Sequence, residues 1–151
     1  MADMEQVEKL LIGCTLAGPA DEEMIASAER KLGVRFPQSY RAFLAQYGAA
    51  LCSGFEIAGL FRHAYDDEPP LWDDVVTATC LLRGKTGDFI PKEYVAISGD
   101  GGDFTYYLDT SRMDAASECP VIVLGPGVDG LILASNFIDF VIRACNNRLT
   151  F

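Results

Sequence analysis

The chain has a single histidine, His63, and a single tryptophan, Trp72. One histidine leaves no His-rich metal site, and without a Gly-x-Ser-x-Gly elbow there is no ordinary nucleophile and base pair. His63 beside Asp66 reads as a solvated loop residue rather than a general base. Cysteine is sparse and unpatterned: Cys14, Cys52, Cys80, Cys119 and Cys145 are odd in number and contain no Cys-x-x-Cys pair. That excludes a Cys/His zinc site and points to buried free thiols in a reducing compartment. No apolar run is long enough to span a bilayer. Leu11-Ile12-Gly13-Cys14 looks like a lipoprotein cleavage box. Asp3, Glu5, Gln6, Glu8 and Lys9 stand before it, however, where a secretory leader would be basic and then apolar. The expected location is therefore the cytoplasm.

Positive charge is also short. Twelve Lys and Arg face 22 Asp and Glu, for a net charge of −10. Two segments hold all of it. From Asp66 to Asp74 lie five acids (Asp66, Asp67, Glu68, Asp73, Asp74) and no base; from Asp100 to Asp139 lie seven acids and only Arg112. Together they carry −11, and the rest of the chain sums to +1. Such a surface repels nucleic acid and anionic membrane and attracts a basic partner. We take Asp66, Asp67, Glu68, Trp72, Asp73, Asp74, Asp100 and Asp103 as the candidate partner-binding residues.

What is present is a folded core. Half of the 151 residues are hydrophobic and 23% are charged, a globular balance for one domain spanning residues 1–151. Met4 to Ile12 reads as a short helix. Asp21 is a good N-cap for a helix burying Ile25, Ala28 and Leu32, with Glu22, Glu29 and Arg30 toward water and Gly33 as its stop. A proline then opens a third helix, whose Tyr40, Phe43, Leu44 and Tyr47 form one apolar stripe ending at Gly48. Ser53 to Ile57 reads as a strand, followed by an irregular packed loop to Tyr65. Pro69-Pro70 begins a helix carrying Trp72, Val75, Val76 and Thr79 to about Leu82. Strands Tyr94 to Ser98 and Asp103 to Asp109 flank a glycine-rich turn in which Gly99 to Gly102 supply positive φ. Pro120 to Leu124 makes a third strand and Leu131 to Leu133 a short fourth, after turns at Gly125-Pro126-Gly127 and Asp129-Gly130. A largely buried helix from near Ser135 carries Phe137, Phe140, Val141 and Ala144. The order predicts an α+β fold, a mainly antiparallel meander packed with four to five helices.

Chemistry is hard to find in this sequence. Gly99-Asp100-Gly101-Gly102-Asp103 lacks the Lys-Ser/Thr of a phosphate loop and the acidic ladder of an EF-hand. Asp100 and Asp103 form the one carboxylate pair on which a small acid hydrolase could be built. Asp and Gly in a turn are more simply turn formers. Tyr40, Tyr47, Tyr106 and Tyr107 have no basic groove beside them and read as core rather than base-stacking residues. No catalytic residue, cofactor or metal is assigned.

Four segments, in order, carry a resemblance. They are Phe36-Pro37-Gln38-Ser39-Tyr40-Arg41-Ala42-Phe43-Leu44, Ile90-Pro91 through Gly102-Asp103-Phe104, Glu118-Cys119-Pro120-Val121, and Ser135-Asn136-Phe137-Ile138-Asp139-Phe140. Over roughly Asp21 to Val141 the chain resembles the SUKH superfamily of the Smi/Knr type. The resemblance implies a SUKH-like domain without catalytic residues. It also implies a protein-binding role, that of an immunity protein neutralising a cognate toxin domain, many of which are nucleases; the two acidic segments add the expectation that this toxin domain is basic. An intracellular regulatory scaffold is the alternative within the family.

Overall fold

The computed structural model describes residues 3–62, 71–87 and 89–150. His63, Asp66, Asp67 and Glu68 lie outside the described residues, as do Pro69-Pro70. Five helices and two antiparallel sheets make up the rest. The helices are α1 (Asp3–Leu10), α2 (Glu22–Leu32), α3 (Gln38–Tyr47), α4 (Val75–Arg83) and α5 (Phe137–Cys145). One sheet has the order β1-β2-β3, from Thr15–Leu16, Ala50–Cys52 and Phe55–Ile57. The other is the meander β4-β5-β6-β7, from Tyr94–Gly99, Thr105–Asp109, Val121–Gly125 and Val128–Ala134. The architecture is α+β, as expected; the small first sheet is an addition to it.

Local chemistry sets the helix ends. Asp21 Oδ1 accepts the Met24 N–H at 2.9 Å, Glu22 and Glu23 occupy the positive end of α2, and Gly33 closes it at φ 70°. Glu29 does not face water as its spacing suggested. It is drawn inward to accept the Phe36 N–H at 2.8 Å and to pair with Arg41, which also holds Glu22. Pro37 sits at the N-cap of α3, one residue before the first helical position, and offers no side-chain cap. Glu118 supplies one from across the fold: its carboxylate accepts the Ser39 N–H at 3.0 Å and the Ser39 hydroxyl at 2.5 Å. The Pro-Tyr-Phe segment and the Glu-Cys-Pro-Val segment are thus two halves of one junction.

The core lies between these helices and the inner face of the meander. Tyr40, Phe43, Phe137 and Phe140 are fully buried, with the Phe137 ring edge-on to Tyr40 and Phe43. Period-two alternation aims Val95, Ile97, Tyr106, Leu108, Val121 and Val123 at this cluster, while Ala96, Tyr107 and Ile122 form a smaller one with Ile90 on the opposite face. The Tyr40 hydroxyl donates to the Ala58 carbonyl at 2.7 Å. Burial, and then the charge of Asp74, push its pKa well above the ordinary phenol value. The outer edge of β4 is covered, since its Ala96 N–H reaches Thr79 Oγ1 at 3.0 Å and its Ile97 carbonyl accepts the Ala58 N–H at 2.8 Å.

Other expectations change as well. Asp74, not Pro69-Pro70, starts α4: its Oδ1 accepts the Thr77 N–H at 3.0 Å, and Trp72 lies ahead of the helix. Asp129-Gly130 is no turn but part of β7, opposite a register shift at Val123 and Leu124. Not all the thiols are free, because Cys14 and Cys52 form a disulfide. Register explains the pairing. Thr15 lies opposite Leu51 and Leu16 opposite Ala50, so continuing the ladder one step sets Cys14 against Cys52, with Cα atoms 4.4 Å apart. Of the free thiols, Cys119 is buried, Cys145 half-buried and Cys80 exposed. Burial, and then Asp109, Glu118 and Asp114, push the Cys119 thiol up to about 12, which leaves it unreactive.

Candidate functional site

A cavity of about 490 Å³ opens where β3, the β4–β5 turn and α4 meet. Each wall has a local cause. In β3, alternation turns Ile57 into the core and leaves Glu56 half-buried on the cavity side. Asp73 arrives from the segment before α4, where its N–H donates to Glu56 Oε1 at 2.8 Å and its carbonyl accepts the Gly59 N–H at 3.0 Å. Asp100 caps the β4–β5 turn, with Oδ1 accepting the Gly102 N–H at 2.8 Å and the Phe104 N–H at 3.2 Å. Only Gly101 in that turn has positive φ, at 81°, so one residue does what the whole stretch Gly99 to Gly102 was expected to do. Phe55, Ala78, Leu82 and Phe104 give the cavity apolar walls.

Three carboxylates therefore line one apolar-walled cavity, and each acidic segment contributes one. Glu56 is the residue that sequence reasoning missed. It stands alone among neutral neighbours, so no charge run marks it; the only signal is its position between Phe55 and Ile57 in an alternating strand. Burial pushes the Glu56 carboxyl above its ordinary value. The Asp73 N–H opposes this, while the Asp73 charge and side chain add to it.

A second depression, about 570 Å³, adjoins the first across Asp73, Ala78 and Leu82, and is lined also by Phe61, Trp72, Asp74 and Leu81. The Trp72 ring tilts against Phe61 with centroids 5.8 Å apart, and its indole N–H donates to the Thr15 carbonyl at 3.0 Å. Trp72 is thus half-buried and fixed at one end, while Leu81 is 76% exposed. Asp74 lines this depression with its carboxylate already engaged as a helix cap.

Of the candidate residues, Asp73 and Asp100 share the cavity, and Trp72 and Asp74 share the neighbouring depression. Asp103 is exposed and outside both linings. Two other acids of the second segment serve the fold: Asp109 is buried against Ser111 and Arg112, and Glu118 caps α3. No helix among the described residues is long and apolar enough to cross a membrane. No curated protein matches the chain. The family model SUKH_5, SMI1-KNR4 cell-wall, matches residues 4–145.

Proposed function

The chain belongs to the SUKH family of SMI1-KNR4 type, and on that premise we propose that it is a non-catalytic protein-binding module, an immunity protein that neutralises a basic toxin domain in the cytoplasm. One observation carries the reading: Glu56, Asp73 and Asp100 converge on a single apolar-walled cavity beside the Phe61, Trp72 and Leu81 depression. A lysine or arginine of a partner entering the cavity meets carboxylates at the rim and apolar wall for its alkyl stem. An apolar side chain finds the neighbouring depression, the pairing of charge and anchor on which protein interfaces rely. The hydrolase reading has less support, because Asp100 spends one oxygen on its own turn and Asp103 does not line the cavity.

The test is to identify the genes flanking this one, express any toxin domain they encode, and measure growth protection and binding. Protection by the wild type, lost on combining Asp73→Asn, Asp100→Asn and Leu81→Ala, supports the reading. Tight binding that the triple variant retains would move the interface elsewhere, and the absence of any protective effect would favour the regulatory scaffold.

A further inference from the structure

In the cytoplasm, thiols are kept reduced and the disulfides that do form are mostly transient or redox-sensing. The Cys14–Cys52 bond sits where such a device would be effective. β1 has only two residues, and among the described residues it pairs with β2 alone. The bond closes its outer end, and Cys52 also belongs to the cavity lining. Next to Cys14, the Thr15 carbonyl holds the Trp72 indole; next to Trp72, the Asp73 N–H holds Glu56 on β3; and β3 pairs with β2, which carries Cys52. These links form a closed ring: β1, Trp72, Asp73, β3, β2 and back through the disulfide. Opening one link loosens the others.

We infer that Cys14–Cys52 is a redox-operated staple that sets the position of Trp72 and of the acidic wall at Asp73. The chemistry is thiol–disulfide exchange with a dithiol reductant. One reductant thiolate attacks the Cys52 sulfur, the S–S bond breaks, and Cys14 leaves as a thiolate that takes up a proton. The second reductant thiol displaces Cys52 from the mixed disulfide, so the reductant leaves as its own disulfide and the protein gains two electrons and two protons. β1 then keeps its two-residue ladder to β2 but loses the covalent link.

The composition provides the assay, because Trp72 is the single tryptophan. After mild air oxidation, maleimide labelling of the denatured chain should count three thiols, and after dithiothreitol five. On reduction, Trp72 emission should shift to the red and acrylamide quenching should increase, with far-UV circular dichroism unchanged. The Cys14→Ser/Cys52→Ser variant should show the reduced signature with or without dithiothreitol. Five thiols after oxidation, unchanged Trp72 quenching on reduction, or loss of the whole fold on reduction would each overturn the inference, the last making the bond a structural staple. As regulation of the cleft, the inference rests on the reading of that cleft as the partner face. Binding of the neighbouring toxin domain to oxidised and reduced protein tests that use separately. A chain that switches but binds nothing removes the reading of the cleft and leaves the switch.

Discussion

Glu56 and Thr79 show how single side chains set conditions for the surface around them. A carboxyl whose folded pKa is raised stabilises the fold below its unfolded pKa, and that contribution is lost as pH rises through the folded value. Ionised Glu56 beside Asp73 is therefore a cost near neutrality. Glu56→Gln should melt above the wild type at pH 7, since the amide oxygen still accepts the Asp73 N–H. The difference should shrink to nothing as the pH is lowered into the range where Glu56 takes up its proton, a trend that thermal melts across pH can follow. Thr79 is fully buried, and its hydroxyl oxygen accepts the N–H of Ala96 on the edge strand β4. Thr79→Val preserves shape but orphans that donor, and should cost about 1–3 kcal/mol in chemical denaturation. Thr79→Ser should recover most of it.

At the level of the elements, α3 and α5 supply the centre of the core. Phe43 and Phe140 are fully buried, and Phe140 meets the Tyr106 ring edge-on. Truncating either to Ala should cost about 3–5 kcal/mol, because the cavity left by a ring closes only in part; a measured loss below about 1 kcal/mol would mean that the helix faces are misassigned. These faces were legible in the sequence because their signals are local: Asp21 and Gly33 bound α2, Gly48 ends α3, and the spacing of Tyr40, Phe43 and Leu44 marks the buried stripe. Where the sequence misled, a non-local partner had decided. Asp129-Gly130 has turn chemistry, yet the β6 ladder carries it as strand. The two-residue β1 has no periodicity to read, and its pairing with β2 runs past two intervening helices, so Cys14 gave no hint of Cys52. Glu29 looked like a solvent-facing helix residue until the Phe36 N–H and Arg41 claimed it.

For the whole molecule, charge placement matters more than charge total. That two acidic segments exist is plain in the sequence; that Asp73 and Asp100 reach one cavity depends on how α4 packs against β4. If this face steers a basic partner, association should be fast at low salt and slow steeply as ionic strength rises, with dissociation changing less. Asp73→Asn with Asp100→Asn should lower the on-rate, whereas Leu81→Ala in the adjoining depression should raise the off-rate. Stopped-flow or surface-binding kinetics over a salt series separate the two effects. An on-rate indifferent to salt would reduce both segments to solvated surface.

The packing of α5 also bears on how the protein is made. Phe137 closes against Tyr40 and Phe43, and α5 lies along α1, so the core assembled by the early helices stays open until the late segment 137–145 has been translated. The expected outcome is a core that closes only after α5 has cleared the ribosome exit. A chain stopped before that helix should therefore expose its aromatic core and pellet or be cut rapidly in limited proteolysis, a vulnerability that chaperone dependence during synthesis would also expose.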